Sequence, residues 1–261
     1  MIYTVSDLHG CYDKYQKLLE TLNLGENDTL YVLGDVIDRG PKGFHMMLDI
    51  ASRPNVVCLM GNHEAMAKDA LPAILGSLEG NSYFLNHRDR ENVSLWFRNG
   101  GETSLQDFLR LDKAQRDTVW KQLLSLPLYR EVEVGNRKFV LVHGGLEHFS
   151  PSRPLEEYEP DEILWCRPEQ DTVYFPDRCV VLGHTPTHFL YETMGHPASG
   201  GKIFRTESFI DIDCGCVYHD GQLGCLCVKL SRLCYLLIHR FPNRSHRQLS
   251  ILHRQVDHPE I

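Results

Sequence analysis

The sequence predicts an α/β fold on three observations. Over the first 65 residues, short β-branched or apolar runs alternate with longer amphipathic stretches, the order expected of strand-helix-strand units. Gly135-Asn136 lies between two apolar runs and suits a two-residue hairpin turn, so antiparallel pairing joins in further along. The 261 residues are 42% apolar and 24% charged, a globular composition that can bury a sizeable core and excludes disordered, collagenous and coiled-coil chains.

Taken in order, Ile2 to Ser6 reads as a strand, and Tyr12, Tyr15, Leu18, Leu19 and Leu22 then recur at helical spacing until Gly25 closes the helix. Thr29 to Leu33 is the second strand. Pro41, where a first-turn proline is tolerated, opens a helix through Met46, Met47 and Ile50 that stops near Pro54. Val56 to Met60 is the third strand. From about 64 to 128 the pattern is helical and polar, an insertion with Trp96, Phe97, Leu105, Phe108, Leu109, Trp120, Leu123 and Leu124 as its buried contacts. Val132 to Val134 and Lys138 to Val142 form the hairpin, and Cys179 to Leu182, Phe209 to Ile212 and Leu223 to Val228 supply further strands. No repeat, low-complexity tract or long linker divides the chain, so residues 1–228 read as one domain. Residues 229–261 differ in composition, with six Lys and Arg against two acidic residues, a net +4 where the rest carries −12. They read as a basic tail of solvated or loosely ordered surface.

Lys and Arg number 27 and Asp and Glu 35, a formal charge of −8 that makes the surface as a whole a poor partner for nucleic acid. An anionic ligand must then be held by local positive charge. The longest uninterrupted apolar run is the short Leu233 to Ile238, far below a bilayer span, and the N-terminus lacks the basic start and long apolar stretch of an export signal. A soluble, cytoplasmic protein with no membrane partner is expected; oligomeric state is not written in the sequence. Nine cysteines, an odd number, then read as free thiols. Cys214-x-Cys216 and Cys225-x-Cys227 have a spacing too short for the usual zinc pairs, and their apolar neighbours suit a strand.

Five short polar signatures follow five apolar runs: Asp7-Leu8-His9-Gly10, Gly34-Asp35-Val36-Ile37-Asp38-Arg39-Gly40, Gly61-Asn62-His63-Glu64, Val142-His143-Gly144-Gly145 and Gly183-His184-Thr185. In α/β sheets the crevice beyond the carboxyl ends of strands collects ligands, so these residues can converge although distant in sequence. Asp7, His9, Asp35, Asn62, His143 and His184 form an oxygen and nitrogen set without thiolate, which suits two divalent transition ions. A shared carboxylate, with Asp35 the candidate, can hold such ions about 3.5 to 4 Å apart. Mn2+ is expected, with Fe, Zn or Ni also fitting. Any one of these residues alone reads better as a turn former or a hydrogen-bonded structural side chain. His45, His87, His148, His188 and His196 lie outside the signatures and read as surface or capped residues, and Tyr83, Trp96 and Phe97 read as core, with a place bordering the cleft as the alternative.

Over residues 1 to about 228 these motifs resemble the calcineurin-like metallophosphoesterases, most of all the phosphoprotein phosphatase branch with its compact bacterial and phage serine/threonine phosphatases. The resemblance implies a central β-sandwich flanked by helices in αββα layers. It places Asp7, His9 and Asp35 on one metal and Asp35, Asn62, His143 and His184 on the other, around a bridging water that attacks phosphorus. His63 would protonate the leaving oxygen while Asp38 orients its ring and holds it charged. Arg39, and Arg167 in Leu164-Trp165-Cys166-Arg167, would bind phosphate. The expected substrate is a protein or peptide carrying phosphoserine or phosphothreonine, with phosphotyrosine as a dual-specificity alternative, or a small phosphoester. Met60 stands where that branch places an arginine before Gly-Asn-His-Glu, which keeps open a symmetrical dinucleoside tetraphosphate hydrolase. A non-catalytic scaffold on the same fold is the reading from another class.

Overall fold

The computed structural model describes residues 1–78, 86–195 and 201–228, together with the backbone of 233–240 and 249–255. Strands β1 (Ile2–Val5), β2 (Thr29–Val32) and β3 (Val56–Cys58) pair in parallel. Helices α1 (Tyr12–Leu22) and α2 (Gly43–Ala51) connect them. Four helices follow: α3 (Asn62–Leu78), α4 (His87–Arg98), α5 (Gly101–Arg110) and α6 (Lys113–Ser125). A second sheet is built from β4 (Tyr129–Val134), β5 (Arg137–Val142), β6 (Arg178–Leu182), β7 (Phe204–Arg205) and β8 (Phe209–Asp211), with α7 (Pro160–Leu164) and α8 (Thr187–Thr193) against it. The chain then returns to the first sheet through β9 (Leu223–Val228), β10 (Leu233–Arg240) and β11 (Leu249–Gln255).

The sheets run β11-β10-β9-β1-β2-β3 and β4-β5-β6-β8-β7. Alternation along each strand distributes the core over three layers. Tyr3, Val5, Leu30, Val32, Cys225 and Cys227 face α1, α2 and the α3 to α6 helices, while Leu33, Leu226 and Val228 meet Phe139, Leu141, Val181 and Ile210 between the sheets. The opposite face of the second sheet, with Val140, Val142, Val180 and Phe209, packs on Ile163 and Leu190. This is the αββα sandwich that the resemblance implied. Burial on both faces explains why its central strands read as continuous apolar runs.

Some boundaries differ from the sequence reading. Helix α1 ends at Leu22 with Asn23 in the left-handed conformation (φ 43°), before Gly25, and α2 begins at Gly43, two residues after Pro41. The hairpin is longer than its apolar residues suggested: β4 begins at Tyr129, and Val134 pairs with Arg137 across Gly135-Asn136. Leu109 and Leu124 are 40% and 59% exposed, because Phe108 and Leu123 beside them take the inward face. Cys214 and Cys216 lie in the loop after β8 rather than in a strand. Cys58, Cys166, Cys179, Cys214, Cys216 and Cys225 are free thiols. Residues 229–261 were expected to lie outside the domain, yet the backbone of β10 and β11 continues the first sheet, β10 pairing antiparallel with β9 from Leu233↔Val228 to Ile238↔Leu223. Among the described residues no helix is long and apolar enough to cross a membrane.

Candidate active site

All five signatures lie at the carboxyl ends of strands. Asp7 and His9 follow β1; Asp35, Asp38 and Arg39 follow β2; Asn62 and His63 open α3 behind β3; His143 follows β5 and His184 follows β6. Backbone bonds tie the first loop to the second, His9 N–H to Asp35 O at 2.9 Å and Gly10 N–H to Val36 O at 2.8 Å. The His184 N–H donates to Asp7 Oδ2 at 2.9 Å and joins the second sheet to the first. Asp7, His9, Asp35, Asp38, Arg39 and His184 all have positive φ, between 42° and 70°. Strained backbone of this kind persists where surrounding structure over-determines it. One such determinant is Glu64, whose buried carboxylate accepts the N–H groups of Asp35, Val36, Ile37 and Gly61 at 2.8 to 3.2 Å. Gly34 is another: at φ 85°, an added Cβ would lie 2.5 Å from Gly61 Cα and 3.0 Å from His143 Nδ1.

Asp35 sits at the centre of the site. Its Oδ2 is 3.7 Å from both His9 Nε2 and His63 Nε2, and its Oδ1 is 3.4 Å from His143 Nε2. Ligand atoms of Asp35, His143 and His184 lie within 4.8 Å of one another, as do those of His9, Asp35 and His63. The first group consists of residues expected on the second metal, and Asn62 Oδ1 lies 2.9 Å from His143 Nε2. The second group contains His63, while Asp7 stands behind with one oxygen taken by His184 N–H.

The chemistry of these donors fits cations. His143 Nδ1 is 2.7 Å from Leu33 O and His9 Nδ1 is 2.9 Å from Ile37 O, contacts that place the proton on Nδ1 and turn the Nε2 lone pair inward. His143 Nε2 and Asn62 Oδ1 are then two acceptors facing one another. His184 Nε2 is buried with no protein partner. Burial pushes His9, His143 and His184 below the ordinary histidine range, which keeps their lone pairs available. Burial, then the charges of Asp7 and Glu64, pushes Asp35 well above the usual carboxylate range. Asp213, buried after β8 and not singled out from the sequence, is raised by burial and then by Asp7. Several buried carboxylates at one site need positive charge to remain ionised.

Beside this cluster, His63 Nδ1 is 2.6 Å from Asp38 Oδ2. Trp96 Nε1 donates to both Asp38 oxygens at 3.0 and 2.9 Å. Trp96 is therefore core, as expected, and it also borders the site, where its bond to Asp38 was not foreseen from the sequence. Arg39 directs its guanidinium at His9 Nε2 (2.8 Å) and His63 Nε2 (3.2 Å). Burial, Arg39 and His143 push His63 well below the histidine range, and burial raises Asp38 to about 7. Asp38 was expected to hold His63 charged; burial and the adjacent guanidinium push the ring the other way. Arg167 is exposed at the rim, its Nη1 donating to His184 O at 3.0 Å and Thr185 Oγ1 at 3.3 Å. Met60 is 5% exposed and apolar where a cation would be expected. His45 pairs with Asp107 at 2.6 Å, and His87 and His148 are exposed. Tyr83, His196 and the side chains of 229–261 fall outside the described residues.

Comparisons with known proteins agree with this geometry. The calcineurin-like phosphoesterase profile matches residues 1–212. Serine/threonine-protein phosphatase 2 of Salmonella typhimurium is 29% identical over 167 residues, 64% of this chain and 67% of that protein. A symmetrical bis(5'-nucleosyl)-tetraphosphatase of Nitrosococcus oceani is 32% identical over 103 residues, 37% of this chain and 36% of that protein. The chain thus spans two thirds of one curated relative and little more than a third of the other. A solved protein serine/threonine phosphatase from Saccharomyces cerevisiae shares the fold, with a TM-score of 0.55 at 16% identity, covering 100% of this chain and 81% of that one. With the profile covering most of its length and the site built on the strand ends of a two-sheet sandwich, the chain belongs to the calcineurin-like phosphoesterase family.

Proposed function

We propose that this protein is a two-metal phosphomonoesterase acting on phosphoserine or phosphothreonine in proteins. The observation that carries the reading is the convergence on Asp35 of imidazole donors from both sheets, beside the Asp38–His63 pair and Arg39. Asp7, His9 and Asp35 would hold one divalent ion and Asp35, Asn62, His143 and His184 the other, with Mn2+ the proposed metal and Fe, Zn or Ni accepted by the same donors. When bound, such ions supply Lewis acidity toward the phosphate oxygens and toward the water that attacks phosphorus.

The protein's own residues do the rest. Arg39 offers a planar fork on the open side of the site, and Arg167 a second guanidinium at its rim, so phosphate meets local positive charge on an acidic protein. Phosphate oxygens compete with His9 and His63 for the Arg39 donors. Arg39 turned to phosphate no longer opposes a proton on His63 Nε2, and burial, the larger cause, is what the bond to Asp38 must then offset. That proton goes to the leaving alkoxide oxygen as the P–O bond breaks, and the Nδ1 bond to Asp38 keeps the ring aimed.

A symmetrical dinucleoside tetraphosphatase is the second reading, favoured by the relative of that name and by apolar Met60. The protein-phosphatase reading rests on the longer match to the Salmonella enzyme. Rates of the Mn2+-loaded protein on a phosphothreonine peptide and on diadenosine tetraphosphate, measured side by side, decide between them. A scaffold would show no metal-stimulated turnover on any phosphoester while still capturing a protein partner in a pull-down.

A further inference from the structure

We infer that the corner between α4 and α5 is a brace that orients the Asp38–His63 pair, with Trp96 and Ser104 as positioning residues; the inference rests on the phosphomonoesterase reading above. Trp96 is the largest fully buried side chain among the described residues, and its single polar atom, Nε1, is spent on Asp38. A buried indole N–H requires an acceptor, and a carboxylate makes the bond charge-assisted. Asp38 Oδ2 is shared by indole and imidazole, so the indole sets the rotation of the carboxylate and the carboxylate sets the plane of the His63 ring.

The same corner holds the backbone. Ser104 Oγ accepts the Asp38 N–H at 2.7 Å, and Gly100 O accepts the Arg39 N–H at 3.2 Å. These are the two consecutive residues with φ of 70° and 63°, so the brace fixes the proton-carrying pair and the phosphate-facing arginine together. Gly101 permits the approach, since a Cβ there would lie 2.6 Å from the Trp96 ring. None of these bonds uses a side chain of Asp35, Asn62, His143 or His184. The brace therefore serves departure of the leaving group rather than the holding of metal.

Trp96→Phe keeps most of the ring and removes the N–H. Turnover of phenyl phosphate, whose poor leaving group needs the proton, should fall about tenfold or more. Turnover of p-nitrophenyl phosphate, whose phenolate departs unaided, should fall less than about threefold. Ser104→Ala should shift the same ratio more weakly, and it supplies the kinetic arm if Trp96→Phe does not fold. Equal losses on both substrates, or no loss, would overturn the inference. Independently of turnover, the metal-free protein labelled with 15N should show an indole resonance that disappears in Trp96→Phe and shifts in Asp38→Asn. A Trp96 resonance indifferent to Asp38→Asn would also overturn it. If the parent protein hydrolyses neither ester, the phosphomonoesterase reading fails while the resonance still judges the brace.

Discussion

Asp35 sits at the centre of the site, with imidazoles from both sheets around its two oxygens. Asp35→Asn should cut the metal content of the protein and abolish turnover, measured by elemental analysis and phosphate release. His63→Asn makes a contrasting prediction: metal content stays near that of the parent while turnover of an alkyl phosphate falls by about a hundredfold to ten-thousandfold. The ligand-type residues were legible in the sequence because each interrupts an apolar run at the point where a strand must end. Glu64 and Trp96 were not legible as partners of the site. Glu64 stands inside a signature, but three of its four bonds go to backbone N–H groups of another loop, and Trp96 meets Asp38 across 58 residues of sequence. Neither relation leaves a mark in local periodicity. Asp213 escaped for a similar reason, being one polar residue in a loop whose fold is set by its neighbours.

At the scale of elements, the loops behind β1, β2 and β3 matter more than the strands themselves. Gly34 shows why: its φ of 85° and its approach to Gly61 leave no room for a side chain. Gly34→Ala combines backbone strain with overpacking and should cost about 2 to 5 kcal/mol, a fall in Tm of roughly 5 to 15 °C on thermal unfolding. The strands were legible as apolar runs and the β4–β5 hairpin as its two-residue turn. Helix boundaries were less so, since α2 begins after Pro41 rather than at it and α1 is closed by Asn23. The chief misreading was β10 and β11. The Lys, Arg and His residues of 229–261 outweighed the apolar run Leu233 to Ile238, which pairs with β9.

For the whole molecule, buried carboxylates make stability depend on pH in a definite direction. Asp38 and Glu64 are raised by burial to about 7 in the folded state. Between their unfolded values and about 7 the native state holds protons that the unfolded chain has released, so their contribution falls as pH rises. The buried histidines oppose this only below about 6.5, where the unfolded chain gains protons that the native state lacks. The metal-free protein should therefore lose Tm from pH 6.5 to 8, and Glu64→Gln should flatten that loss. Chelation should stop turnover and lower Tm, and restored Mn2+ at a hundred times its dissociation constant should return about 2.7 kcal/mol. The first strand pairs with β9, Ile2 facing Val228, and the centre needs His184 from the other sheet. During synthesis on the ribosome the early signatures emerge long before their counterparts. A nascent chain therefore stays inert until His184 and β9 have both been made, and phosphate release reports that the two halves of the site have met.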